Sequence, residues 1–168
     1  EAAVKLVTEP ATPTLSFDPS AVGEILHLTS RQPYQVQLLC RGLVDFLNER
    51  KEGNRVTAAD IVEVTARLSS TGEDIYSRDI WQNAGEAGQL VLSATARAVA
   101  EENGEPVMPE EIIARVQMIT EKFDPKAIFA VIERLTEQEI LAKFSNRYCF
   151  HSLLTANWIS AHYPLGNM

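Results

Sequence analysis

Prolines stand at four positions where helices begin, and they constrain this chain more than any other feature. Asp18-Pro19 and Asp124-Pro125 each place a residue able to accept free amide bonds ahead of one whose φ is already helical. Pro33 and Pro109 supply the same first helical position. Behind each proline the apolar residues keep helical spacing. Val22, Ile25 and Leu26 follow Pro19, and Val36, Leu39, Cys40, Leu43 and Leu47 follow Pro33. Ile112, Ile113 and Val116 follow Pro109, and Ile128, Val131, Ile132 and Leu135 follow Pro125. The chain is therefore expected to be mainly α.

Further signals fill in the order. Gly53, within Lys51-Glu52-Gly53-Asn54, suits the left-handed end of the second helix. Thr57 caps a third, with Asp60 in the reciprocal capping position and Ile61, Val64 and Leu68 as its stripe. A long helix is predicted over Glu86 to Glu102, stopped by Asn103-Gly104. After Leu141 the period changes. Leu141 to Phe144, a polar Ser145-Asn146-Arg147, and Tyr148 to His151 read as a short β-hairpin. Leu153 to Tyr163 reads as a closing helix, with Trp158 turned inward against Tyr148 or Phe150. The expected organisation is an extended lead-in over 1–17, governed by Pro10 and Pro13, and a helical bundle over 18–72. A helix–helix–helix–hairpin–helix domain follows over 73–168. Polar Ser69 to Asp74 around Gly72 is the expected hinge. Three helices and a hairpin in that order are those of a winged helix.

Composition narrows the chemistry. With 45% hydrophobic and 23% charged residues the chain has the makeup of a folded domain, not a disordered one. No apolar run reaches the length of a membrane span and no signal peptide opens the chain, so no membrane contact and a cytoplasmic location are expected. The chain opens at Glu1 without an initiator methionine, which suggests a piece of a longer protein. Cys40 and Cys149 fall far apart in apolar stretches and read as buried free thiols. His27, His151 and His162 show no metal spacing, so no metal site is expected. No Gly-x-x-x-x-Gly-Lys-[Ser/Thr] loop occurs, and no histidine has the context of a nucleophile's base. No catalytic residue is assigned, and the chain alone is not expected to be an enzyme.

The stretch Phe17-Asp18-Pro19-Ser20-Ala21-Val22, with Ile25 and then Leu28-Thr29-Ser30-Arg31-Gln32-Pro33-Tyr34-Gln35-Val36-Gln37-Leu38-Leu39-Cys40, resembles the lid of prokaryotic AAA+-type ATPases. The likeness is to the origin-recognition and signal-transducing (STAND) groups. Such lids run from a helix through Thr-Gly-Gly-x-Pro-Tyr into a helix with Gln-Leu-Leu-Cys, and a winged helix commonly follows. Tyr148, Phe150, His151, Leu153, Leu154 and Trp158 resemble that ending. The resemblance implies a lid over ATP or ADP held by a P-loop core upstream in the same parent chain, with no nucleotide bound by this chain alone. It places Arg31, Pro33 and Tyr34 at the nucleotide-facing turn. Here Ser30-Arg31 stands in place of the Gly-Gly pair, and side chains limit how closely a backbone approaches a ligand.

The winged-helix half poses a choice between protein and DNA. Winged helices often place their third helix in the major groove. Here that helix carries Lys126 and Arg134 against Asp124, Glu133, Glu137 and Glu139, and the wing adds only Lys143 and Arg147. The net charge of -8 also opposes phosphate binding. The leading expectation is a regulatory module with contacts to its own P-loop core or to a partner protein through the winged helix. A DNA-binding winged-helix protein with a helical extension is the alternative, and a plain protein-interaction domain the third reading.

Overall fold

The computed structural model describes residues 4–5, 7, 15–50 and 53–166. The fold is mainly helical with one short antiparallel hairpin near its C-terminal end, the class anticipated from the proline starts. The chain divides into two compact units, residues 1–76 with 152–154, and residues 77–151 with 155–168. No helix among the described residues is long and apolar enough to cross a membrane.

The first unit contains β1 (Ser16–Phe17), α1 (Pro19–Leu28), α2 (Pro33–Arg50), β2 (Arg55–Val56) and α3 (Ala58–Thr71). Its core joins Ala21 and Ile25 of α1, Val36, Leu39, Leu43 and Leu47 of α2, and Ile61, Val64 and Leu68 of α3. All but Ala21 belong to the stripes read from the spacing, while Val22, Leu26 and Cys40 of those stripes are only partly buried against this core. Gly42 lets α2 and α3 approach closely, since a Cβ there would stand 2.8 Å from Val64 Cγ1. The Thr57 capping box forms as predicted.

Three expectations for this unit are corrected. Val4, Lys5 and Val7 are helical, not extended, and Val7 is buried in the core. Burial of an apolar side chain decides the backbone there, while Pro10 and Pro13 lie outside the described residues. The polar stretch Ser69 to Asp74, expected as a hinge, is helical over its first three residues. Helix α3 runs through Thr71 and ends at Gly72, φ 68°. The hydroxyls of Ser69, Ser70 and Thr71 donate back to carbonyls one turn earlier, so these polar residues stay within the helix. Asp18 does not cap α1 with its side chain. Its carboxylate instead accepts from Arg55 Nε at 2.6 Å, because the parallel β1–β2 pairing sets Ser16 beside Arg55.

Helix α4 (Ile75–Asn83) begins in the first unit and continues into the second. The second unit holds α5 (Gly85–Glu101), α6 (Pro109–Ile119), α7 (Pro125–Glu137), β3 (Leu141–Phe144), β4 (Arg147–Phe150) and most of α8 (Leu153–His162). Helix α5 is central. Leu90 through Ala96 are all buried, and α6, α7 and β4 pack around it. Asp124 caps α7 through a 2.6 Å bond from the Ala127 amide.

The hairpin turn is shorter than the sequence suggested. Phe144 pairs with Arg147, so Arg147 belongs to the strand and only Ser145-Asn146 turns. Two-residue loops use left-handed backbone whose twist matches that of the strands, and Ser145 supplies φ 58°. His151 lies beyond β4, not within it, and its amide donates to Ile140 O at 3.0 Å. Val107 adds a bridge on the other side of β4, exchanging two 2.8 Å bonds with Tyr148.

Trp158 is buried as predicted, at 2% exposure. It shares its buried core with the expected Tyr148 and Phe150, and its ring also has a stacking neighbour on its own helix. The ring stacks on His162, centroids 4.6 Å apart, with Tyr163 at 5.7 Å and Tyr163 in turn stacked on Trp81 at 3.9 Å. Helical spacing brings the His162 ring onto it, since His162 lies one turn after Trp158 on the same helix.

Candidate functional site

The turn between α1 and α2 is built by the way α1 ends. The Ser30 amide donates to His27 O at 3.3 Å and the Arg31 amide to Leu26 O at 3.2 Å. These are the two bonds of a Schellman ending, with Ser30 at φ 47° in its left-handed position. Arg31 is left-handed as well, at φ 61°. Two successive side-chain-bearing residues in this region are uncommon, because Cβ crowds the following carbonyl. Both lie where the lid resemblance has its two glycines. The backbone here keeps the conformation that glycine favours, although Ser and Arg occupy it.

The three predicted site residues lie within this one turn. Arg31 is exposed, and its guanidinium makes no hydrogen bond or ion pair among the described residues. Pro33 is exposed at the first position of α2. Tyr34 is exposed, with its hydroxyl donating to Glu73 O at 3.3 Å. The Val36 amide bonds Gln32 O and the Gln32 amide bonds Thr29 O, both at 2.9 Å, and Pro33 has no amide hydrogen to offer.

Beneath the turn lies a polar group that the sequence reading missed. Gln35 is fully buried, and its Nε2 donates to Asp74 Oδ2 at 2.9 Å. Ser152 Oγ lies 2.6 Å from Gln35 Oε1 and 3.0 Å from Leu28 O, two acceptors for its one proton. Asp74 and Ser152 are buried, and all of these residues belong to the first unit. Gln35, Leu39, Leu43 and Leu47 recur every four residues, so Gln35 sits on the apolar stripe. A polar residue on that stripe is the signal that could have revealed the network. Asp74 and Ser152 carry no such signal.

In the second unit the candidate DNA-facing cations are mostly engaged internally. Lys143 Nζ donates to Glu133 at 3.1 Å and lies over the Tyr148 ring, and Tyr148 donates its hydroxyl to the same carboxylate. The Tyr148 hydroxyl and Lys143 hold the Glu133 carboxyl below its ordinary range. Arg147 donates to Pro106 O at 3.1 Å, and Arg134 to Ala84 O at 2.9 Å. Lys126 is exposed.

Both cysteines are free thiols, Cys149 buried and Cys40 half-buried. Burial pushes Cys40 up to about 11 and raises Cys149 as well, so neither is poised as a thiolate. Among the described residues no cluster of His, Cys, Asp or Glu is placed to hold a metal ion. Comparison with known proteins finds no matching family model, no matching curated protein and no matching solved structure.

Proposed function

We propose that this chain is the lid and winged-helix part of a larger cytoplasmic P-loop ATPase, a regulatory and interaction module without catalytic residues of its own. The observation that carries the reading is the left-handed Ser30-Arg31 pair ahead of α2. It keeps the backbone of a glycine pair at the position where lids of the resembled family approach nucleotide. An exposed arginine beside a helix start suits an anion, since the helix dipole there favours negative charge. On this reading the P-loop core binds ATP or ADP, and Arg31, Pro33 and Tyr34 meet it when the lid closes. Nucleotide state is then passed on as a shift between closed and open populations.

The winged-helix unit is read as a protein-contact surface, directed to the parent's own core or to a partner. Its engaged cations argue against the alternative of duplex DNA, whose binding rests on freely available Lys and Arg. Two measurements test the proposal. In a polypeptide that includes the upstream core, Arg31→Ala weakens ATP binding about tenfold, the loss of one charge-assisted contact. Unchanged affinity overturns the nucleotide role of the turn. Fluorescence anisotropy with short duplex DNA shows no submicromolar binding near physiological salt, and salt-sensitive submicromolar binding reverses the choice between protein and DNA.

A further inference from the structure

Asn103-Gly104 is the one Asn-Gly dipeptide in the sequence, and both residues are exposed. An asparagine followed by glycine is chemically labile. The glycine amide nitrogen attacks the asparagine side-chain carbonyl carbon, a cyclic imide forms and ammonia leaves. Water then opens the ring to aspartate or its β-linked isomer. Glycine speeds the first step because no side chain hinders the attacking nitrogen.

In the fold that nitrogen is occupied. Asn103 ends α5 in the left-handed region at φ 54°, with its amide donating to Ala100 O at 3.3 Å. Gly104, at φ 92°, donates its N–H to Val99 O at 2.8 Å. These bonds are the two closures of a Schellman ending. The N–H that must lose its proton and turn toward the Asn103 side chain is held against a carbonyl on the helix. Three residues farther on, Val107 exchanges its two bonds with Tyr148, which anchors the far side of the loop.

We infer that Asn103-Gly104 is a latent modification site, a spontaneous deamidation that the end of α5 holds shut and that local opening releases. The product acts on the same helix end. A new carboxylate at residue 103 joins Glu101, Glu102 and Glu105 at the negative end of the α5 dipole, where added negative charge is unfavourable. The β-linked product also lengthens the backbone within the Schellman ending and misaligns its bonds.

The test follows conversion by peptide-mapping mass spectrometry, comparing the native full chain with the same chain held in denaturant at one mildly alkaline pH. In denaturant Asn103 converts ahead of Asn48, Asn54, Asn83, Asn146, Asn157 and Asn167. In the native chain its conversion is slower by about tenfold or more, the protection given by a helix end that opens only locally. Another asparagine converting first in denaturant, or equal native and denatured rates at Asn103, overturns the inference. Asn103→Asp supplies the product charge directly, and its thermal midpoint falls by about 1–4 °C relative to the parent. An unchanged or raised midpoint overturns the claimed consequence for α5.

Discussion

The first unit carries a buried glutamine on the inner face of its central helix, whereas the second surrounds its central helix with aliphatic and aromatic side chains. Gln35 in α2 is bonded to Asp74 and Ser152, three buried polar residues from separate parts of the chain. In α5 the buried polar residues are Ser93 and Thr95, whose hydroxyls each reach a backbone carbonyl at 2.8 Å. The aromatic set of Trp81, Trp158, His162 and Tyr163 completes the second unit. The difference concerns how each unit fails. An apolar core loses stability in proportion to the volume removed. A buried polar network loses it by leaving a donor or acceptor without a partner, even when little volume changes.

Substitution at Trp158 gives the largest expected effect. Trp158→Ala costs roughly 3–5 kcal/mol, read as a fall in denaturant midpoint. Both tryptophans lie in the second unit, so their fluorescence follows that unit. The indole Nε1 is buried with no hydrogen-bond partner among the described residues. Trp158→Phe therefore removes no hydrogen bond and costs clearly less than the alanine variant. Equal losses would show that the indole nitrogen, not its volume, stabilises the unit.

Gln35→Ala is expected to cost about 1–3 kcal/mol, by depriving Asp74 and Ser152 of a partner in addition to leaving a small void. Gln35→Leu restores the volume but not the bonds. If the leucine variant is as stable as the parent, the first unit is held by packing alone and the contrast between the units collapses.

Acid supplies a third comparison. Burial alone would raise the Asp60 carboxyl, but bonds from the Thr57 hydroxyl and amide and the Arg50 guanidinium outweigh it and hold it below its ordinary value. Its contribution to stability is therefore complete above the unfolded pKa of about 4 and is lost as pH falls below that. Glu133 in the second unit behaves with the same sign, through Tyr148 and Lys143. Urea midpoints at neutral and acid pH should fall less steeply with acid in Asp60→Asn than in the parent. An unchanged acid slope would remove Asp60 from the account.

The smallest effect concerns helix ends. Helices α1 and α5 close with the same Schellman bonds, one through Ser30-Arg31 and the other through Asn103-Gly104. Asn and Gly tolerate left-handed backbone better than Ser and Arg. Ser30→Gly is expected to stabilise the first unit by about 0.5–1 kcal/mol, seen as a raised thermal midpoint. A lowered midpoint would mean that the Ser30 side chain contributes more than the strain costs.

Much of the fold was legible because its signals are local. Proline starts, the Thr57–Asp60 box and four-residue apolar recurrences depend on neighbours within about a turn, and they gave the helices and most of the core. The turn between α1 and α2 was singled out by resemblance, and what the structure adds there is its left-handed Ser30-Arg31 backbone. What escaped was the polar layer beneath it, since Gln35, Asp74 and Ser152 lie 39 and 117 residues apart from the shared glutamine. Ser69, Ser70 and Thr71 read as a hinge by composition, but their hydroxyls satisfied the helix instead.

The two Asp-Pro dipeptides mark where local information stops. By itself the sequence determined that a helix starts at each, because proline presets φ and aspartate favours the position before it. Only the tertiary structure decided what each carboxylate does. Asp124 makes no ion pair among the described residues and accepts from the Ala127 amide, whereas strand pairing brings Arg55 to Asp18 and the charged donor takes the carboxylate from the helix end. A charge-assisted bond is stronger than one to a neutral amide, so the nearer cation wins wherever the fold supplies one.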